Sequence, residues 1–474
     1  MARPYDLVII GLGSGGTIAA ELAAGELGLR VAAVERARIG GDCLWTGCVP
    51  SKALVASARV ADTVRKAGHF GVGAGEPEID LDAVWGRIKT VQAAIAATDD
   101  SPDRFRRMGV ELIEGVGRVT GYRTVTVDTA NGSRDLETRY VLVCTGSRPT
   151  IPPIAGLAQV DFLTNETIFE LDRPPRSLVM VGGGPVAVEL AQSMVRLGVP
   201  TTLLEMAHRL VPRDEPELAD RLAQVLRAEG VDLHLATTAT AVRPGGDGVV
   251  VTAGDQEFTA AGLMIAAGRT ANVESLGLDR FGIPAGPGGI AVDGRNRTLV
   301  PSIYVTGDAA AGRGHFTHSA AHDAALAVRD MFLPGRGIPS QLVPWCTFTD
   351  PELAHVGLTA AEARDQFGAR RVKVHRHELA DNDRARADAR TEGLLMIVTT
   401  GDRIVGAHAL APAAGELIHE LALAIRFGIR IDELSQLVHV YPTLSVGIGR
   451  MAADRSFGKV RKLRFLAKLS RRWG

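Results

Sequence analysis

The stretch DLVIIGLGSGGTIAAELAAGELGLRVAAVER, residues 6–36, decides how the chain begins to fold. A short apolar run enters a glycine turn in which Gly11, Gly13 and Gly16 keep G-x-G-x-x-G spacing. An Ala-rich helix follows, and then a second apolar run that ends in Glu35, 24 residues after Gly11. Each part has a physical task. The first glycine permits the tight turn, the second lets backbone approach a pyrophosphate, and the third lets helix and strand pack closely. The helix N-terminus attracts phosphate, and the acid is placed to take ribose hydroxyls. Strand, helix, second strand and acid in register predict a Rossmann-like βαβ unit.

The device recurs in SLVMVGGGPVAVELAQSMVRLGVPTTLLEM, residues 177–206. Here Gly182, Gly184 and Ala187 take the glycine positions, and Glu205 follows Gly182 by 23 residues. Two dinucleotide units in one chain point to two cofactors that exchange electrons, most simply a flavin and a nicotinamide. A carboxylate at Glu205 favours a free ribose diol over a 2′-phosphate, hence NADH over NADPH. His208 and Arg209 follow directly and keep NADPH open as the alternative.

Around these units the chain reads as globular α/β. It has 474 residues, enough for about three domains, with 46% hydrophobic and 23% charged residues and a net charge of −1. That balance gives no overall pull towards nucleic acid. The opening MARPYDLVII lacks the long apolar core of a secretory signal or a membrane span. Four cysteines in so long a chain argue against a disulfide framework and for the cytoplasm. Cys144 and Cys346 read as buried small hydrophobes, and Trp85 and Trp345 as packing residues. His315, His318 and His322 form a cluster suited to a surface or interface rather than a metal site.

Two cysteines stand close together in GGDCLWTGCVPSK, residues 40–52. With this stretch added, the chain resembles the flavoprotein disulfide reductases, a class that includes lipoamide dehydrogenase, glutathione reductase and mercuric reductase. The resemblance runs over nearly all of residues 4–455. Its further motifs are VLVCTGSRP (141–149), MIAAGRTANVESLGL (264–278), PSIYVTGDAA (301–310) and VPWCTFTDPELAHVGLT (343–359). It implies an α/β chain of two Rossmann-like domains, for FAD and NAD(P), and a C-terminal α+β dimerisation domain. The implied FAD domain is discontinuous, residues 1–150 and 276–340. The NAD(P) domain spans 151–275, the dimerisation domain 341–455, and a tail 456–474. The resemblance also implies a homodimer.

Roles carry over to matching positions. Cys48 would lie against the flavin ring and Cys43 would face the substrate, the two forming a redox-active disulfide. Lys52 would sit beside the reactive flavin edge, paired with Glu189, and Asp308 would bind the ribityl chain. Ser14, Gly41, Thr145, Gly146 and Gly268 join the glycines and acids above as cofactor-binding positions, while Gly40 turns the chain. Geometry can be set beside this assignment. Residues five apart in an ideal helix have Cα atoms about 8–9 Å apart, whereas a disulfide wants less than about 7 Å. A bridged pair therefore excludes regular helix, with Gly47 the place for a distortion. So small a loop gains little as a staple, and two thiols are too few for structural zinc. A reactive pair is the reading that remains.

The sequence departs from the family pattern where the acceptor is served. Lipoamide dehydrogenase and glutathione reductase place a His-Pro-Thr…Glu motif here; this chain reads HVYPTLSVGIG, residues 439–449. Tyr441 takes the His position and Val446 the Glu position. A Tyr with a pKa of about 10 is a poor base at neutral pH, and general acid–base help is worth about 10²–10⁴-fold. His439 stands two residues earlier as a candidate replacement. Mercuric reductases also use a cysteine pair near the C-terminus, and residues 455–474 contain none, so efficient mercury reduction is not expected.

That tail carries eight basic residues and no acid from Arg455 onwards. Its apolar residues recur at three- and four-residue spacing, which predicts a basic amphipathic helix. Two readings fit it, contact with the inner face of a membrane and packing on the dimer itself. Function accordingly has three readings. The first passes electrons from NAD(P)H through FAD and Cys43–Cys48 to a small-molecule acceptor. The second is a quinone reductase or diaphorase whose flavin reduces the acceptor directly. The third is a non-catalytic flavoprotein scaffold.

Overall fold

The computed structural model describes residues 3–335 and 342–462. The chain divides into two compact units, and the division falls between Gly182 and Gly183, inside the second glycine motif. The first unit holds residues 1–57, 78–182 and 239–341, and the second the remainder.

The first unit is built on a sheet in which Val110–Glu114, Val31–Glu35, Tyr5–Ile10 and Gly132–Val143 lie side by side in parallel. Ile303–Val305 also pairs in parallel with Gly132–Val143. The central strands are apolar without alternation because both faces are covered. Leu7, Ile9 and Leu142 pack against Ala19 and Ala20 of the helix Ser14–Ala20, Ala23 of the wider turn Glu21–Glu26 that continues it, and Ala324, Ala327 and Val328 of Thr317–Phe332. Val8, Val141, Val143 and Val305 pack on the other face with Val125 and Val127. Gly132–Val143 is long enough to serve twice. Its first half is exposed except for Leu136 and forms an antiparallel ribbon with Thr124–Thr129 and Val116–Gly121, and its last three residues are wholly buried. Leu178–Val181 pairs in parallel with Gly262–Ile265 in the same unit.

The second unit carries a five-stranded antiparallel sheet in the order Trp345–Thr347, Glu352–Gly357, Arg403–Ala411, Leu394–Thr400, Val372–Glu378. The helix Ala414–Phe427 covers one face, placing Ile418, Leu421 and Ala424 among Ala354, Ala407 and Ala409. This is the α+β arrangement expected of the segment. RRVKVHRH and GLLMIVTT form strands, and GELIHELALAIRFG forms the helix. The unit also holds Pro185–Arg196, Pro216–Ala228 and the parallel pair Thr201–Leu204 with Asp232–His234.

A helix runs from Val446 to Lys462 and so enters the first part of the basic tail. Residues 463–474, where most of the amphipathic pattern falls, lie outside the described residues. Among the described residues no helix is long and apolar enough to cross a membrane.

Candidate active site

The first glycine turn is a bare-backbone cradle. Gly11 has φ +96°, and a Cβ there would lie 2.5 Å from the carbonyl oxygen of Cys144. A Cβ on Gly16 would lie 2.0 Å from the Gly11 oxygen, so helix and turn touch without side chains. Gly13 precedes the helix Ser14–Ala20 in extended conformation. Gly41, at φ +55°, faces it, and a Cβ on Gly41 would lie 2.8 Å from the Gly13 Cα. Glu35 ends its strand with both carboxylate oxygens engaged. Oε2 accepts from the Leu12 N–H at 2.7 Å and Oε1 from the Ala37 N–H at 2.9 Å. Bare backbone at the turn beside a fixed carboxylate fits the ADP half of FAD.

Farther along the same unit, Asp308 accepts a hydrogen bond from the Ser147 hydroxyl at 2.5 Å. Arg269 donates to Ser147 Oγ at 2.7 Å, stands 3.6 Å from Asp308 and reaches Asp42 at 3.0 Å. Asp42 also accepts from the Asn165 amide at 3.2 Å and from the Thr46 hydroxyl. Thr145 donates to the Asn272 carbonyl at 2.7 Å, and the Gly146 carbonyl accepts from Asn272 N–H at 2.9 Å. Gly268, at φ +114°, accepts from the Thr150 N–H. The ribityl candidate and the residue before Cys43 are thus tied through one guanidinium.

The cysteine stretch breaks where its glycine allows. A short helix, Gly41–Trp45, ends at Thr46, and a new helix, Cys48–Lys66, starts one residue after the break. The break lets the two sulfurs meet. Cys43 is a thiol in hydrogen-bond contact with Cys48. That contact pushes the Cys43 thiol far above the ordinary range and burial pushes the same way, while the Thr317 and Ser14 hydroxyls pull it down. Cys48 Sγ lies 3.2 Å from Thr317 Oγ1, the first residue of the helix Thr317–Phe332. Lys52 Nζ donates to Ser51 Oγ at 3.4 Å. Trp45 is anchored by its Nε1 to the Ile39 carbonyl at 2.8 Å, with the Arg38 guanidinium 4.2 Å over its ring. Gln92, from another helix, donates to the Leu44 and Trp45 carbonyls at 3.1 and 2.7 Å.

At the second motif, Gly182 has φ +119°, and a Cβ there would lie 2.3 Å from the Ala266 oxygen. In the second unit, a Cβ on Gly184 would meet nothing within 4 Å, which leaves its backbone open. Glu205 repeats the arrangement of Glu35. Its Oε1 accepts from the Ala207 N–H at 2.6 Å, and its Oε2 lies beside Gly183. Arg209 is engaged by Asp220 at 2.9 Å. Val211, a β-branched residue held at φ 40°, donates its N–H to the Gly183 carbonyl and pins the turn. Glu189 is buried and accepts from the Phe348 N–H at 2.8 Å.

In the C-terminal segment Tyr441 is 67% exposed, and its hydroxyl donates to Asp383 at 3.2 Å. The side chain of His439 is only 7% exposed, and its Nε2 meets Glu420 Oε1 at 3.0 Å. A Cβ on Gly449 would lie 2.7 Å from His439 Nδ1, so that side of the ring lies against the helix.

The structure therefore gathers Gly11, Gly13, Ser14, Gly16, Glu35, Gly41, Cys43 and Cys48 around one turn. It adds Thr145, Gly146, Gly268 and Asp308 within the same unit. Sequence reasoning missed Thr317, Asp42, Arg269 and Glu420. Arg269 stands inside the quoted MIAAGRTAN motif and could have been singled out there. Trp85 is fully buried, with Nε1 donating to Ile168, and Cys144 is buried beside Thr306. Cys346 differs from expectation: it is only partly buried, beside Glu352. His315, His318 and His322 are exposed.

Comparison with known proteins agrees with this geometry. Residues 5–324 match the pyridine nucleotide-disulphide oxidoreductase family, and residues 343–452 match its dimerisation domain, which supports a homodimer. A mercuric reductase of Streptomyces lividans is 35% identical over 97% of this chain and 98% of its own length. A dihydrolipoyl dehydrogenase of Chlorobaculum tepidum is 33% identical over 96% and 97%. Among solved structures, LpdA from Mycobacterium tuberculosis has a TM-score of 0.85 at 30% identity, covering 94% of this chain and 99% of its own. The HOCl-induced flavoprotein disulfide reductase RclA from Escherichia coli, solved as a Cu(II) complex, has a TM-score of 0.85 at 25% identity, covering 95% and 99%. The chain belongs to the pyridine nucleotide-disulphide oxidoreductases, a family of enzymes that use FAD and NAD(P)H.

Proposed function

We propose that the protein passes electrons from NADH, by way of FAD, to the Cys43–Cys48 pair and on to a small oxidised acceptor. The observation that carries this is the meeting of the two sulfurs beside the glycine cradle, with Thr317 on Cys48. FAD, when bound, supplies the two-electron link between the nicotinamide and the disulfide. Two electrons and one proton convert the bridge to a Cys48 thiolate and a Cys43 thiol. Two helix N-termini and the Thr317 hydroxyl favour the charge on Cys48. With a disulfide acceptor, Cys43 loses its proton to solvent and its sulfur attacks one acceptor sulfur; the acceptor S–S bond breaks and the departing thiolate takes up a proton. The Cys48 thiolate then attacks Cys43 in the mixed disulfide, which re-forms the Cys43–Cys48 bridge and releases the second acceptor thiolate. Lys52, Glu189 and Asp308 keep the roles that the family resemblance gives them, and the four-part domain division belongs to the same reading.

Replacing Thr317 with valine keeps the shape and removes the hydroxyl. A hydrogen bond to a charged group is worth about 1.5–3 kcal/mol, so its loss destabilises the Cys48 thiolate and moves alkylation of that thiol to higher pH. The pH dependence of alkylation, resolved by peptide mass spectrometry, checks this; an unchanged profile would remove Thr317 from the reading.

On the acceptor side, Tyr441 stands exposed where relatives place a histidine. His439, clamped by Glu420 and Gly449, positions the segment that carries Tyr441. Electron transfer directly from flavin to a quinone is the second reading, favoured by the lack of an exposed His–Glu pair in residues 439–449. Contact of residues 456–474 with a membrane belongs to that second reading. A panel of lipoamide, oxidised small thiols, Hg(II) and quinones, assayed with both nucleotides, separates the two readings.

NADH is the preferred donor in this proposal because Glu205 is fixed for a ribose diol and Arg209 is occupied by Asp220. Glu205→Ala is expected to lower kcat/KM for NADH by about 10- to 100-fold, the worth of roughly one lost hydrogen bond to a charged group. The NADPH/NADH ratio then rises. An unchanged ratio in steady-state kinetics would show that another residue selects the nucleotide.

A further inference from the structure

The neighbouring strands Glu352–Gly357 and Arg403–Ala411 place His355 directly opposite His408. Both imidazoles are almost wholly buried, at 2% and 1% exposure, and their Nδ1 atoms lie 3.1 Å apart. The other nitrogen of each ring faces a backbone carbonyl. His355 Nε2 is 2.8 Å from the Gly357 oxygen, and His408 Nε2 is 3.1 Å from the Leu358 oxygen. A carbonyl oxygen only accepts, so both Nε2 atoms must carry hydrogen. Three contacts thus require three hydrogens, and two neutral imidazoles hold only two. In any neutral tautomer, one pair of lone pairs is pressed together in a dry interior.

We infer that His355 and His408 bind one proton between their Nδ1 atoms, so that the dimerisation domain carries a buried imidazole–imidazolium pair with Glu215 as its counter-charge. The surroundings suit a cation. Glu215 Oε2 stands 3.8 Å from His408 Nε2 and is itself held by the Ala360 N–H at 2.9 Å. Trp345 lies face-on over His355, with ring centroids 3.7 Å apart and planes at 12°, and offers its π face. The charged and titratable groups around the pair are Arg213, Asp214 and Glu215 ahead of the helix Pro216–Ala228, and Glu362 in Ala360–Phe367. Burial acts against the charge, pushing His355 towards about 4 and His408 towards about 3, and the Arg213 guanidinium also opposes it at His355. The facing lone pairs, the indole face and Glu215 act for it, and a shared proton is the one state that satisfies every contact. The proton fastens residues 213–215 to the sheet, four residues at most from Val211 and its hold on Gly183.

The sign of the pH dependence decides the matter. An unfolded histidine has a pKa of about 6.5. If the folded pair keeps its proton above that value, unfolding releases one proton per chain. The folding equilibrium constant then falls about tenfold per pH unit above pH ~6.5, up to the pair's own pKa. If both rings are neutral when folded, stability instead rises with pH up to about 6.5 and is flat above it. The test is denaturant unfolding of the FAD-loaded full chain between pH 6 and 9, with His408→Gln as the reference that cancels the other titrating groups. One extra proton released by the wild type supports the inference; equal release overturns it. Nitrogen NMR of wild-type protein labelled with ¹⁵N-histidine does not depend on the variant folding. Three protonated nitrogens in the coupled pair at pH 8 support the proton, and two overturn it.

Discussion

Cys43→Ser is expected to lower NADH-driven reduction of a disulfide acceptor by at least about 10³-fold, while NADH still bleaches the bound flavin. Loss of a catalytic nucleophile costs on the order of 10⁶ in well-studied hydrolases, and a hydroxyl neither forms the bridge nor exchanges with a disulfide. Cys43 contacts Cys48, Ser14 and Thr317, so the substitution acts on the thiol pair and its hydroxyl partners. Stopped-flow flavin bleaching and steady-state turnover, measured on the same preparation, give the two numbers. Retained quinone turnover in this variant would transfer the proposal to direct reduction by flavin. A flavin that no longer bleaches with NADH would sink both catalytic readings.

Gly11→Ala is expected to abolish FAD retention. The position combines φ +96° with a Cβ only 2.5 Å from a backbone oxygen, so neither the turn nor its neighbour Cys144 can yield cheaply. A left-handed non-glycine residue alone costs about 1–3 kcal/mol, and the overlap adds to it. Displacing the turn moves Leu12, whose N–H holds Glu35. The flavin-to-protein absorbance ratio after gel filtration measures the outcome. Gly184→Ala is the contrast, since a Cβ there meets nothing within 4 Å. It should fold normally and weaken only nucleotide binding.

Much of this was legible because the deciding signals are local. Glycine spacing, an acid a fixed distance on and apolar runs of strand length gave both dinucleotide turns. The strands at 372–378 and 394–400 are short runs of strand length, VKVHRHE with its β-branched valines and the apolar LLMIVTT. Gly47 was correctly singled out as the place where helix must fail between the cysteines, with the actual break at Thr46–Gly47. What stayed hidden depends on contacts distant in sequence. Thr317 is an ordinary helix-start threonine until Cys48 is brought to it. Glu420 sits on an amphipathic helix 19 residues before His439, and its pairing is set by how that helix packs. The link from Asp42 through Arg269 to Asp308 draws on three separate motifs. His355 and His408 are two unremarked residues until strand register puts them face to face.

Glu35 and Glu205 are both held by backbone N–H groups of the protein itself, so the rotamer of each carboxylate is set by its own turn. Little ordering is left to be done on binding, which is the condition for fast and tight association.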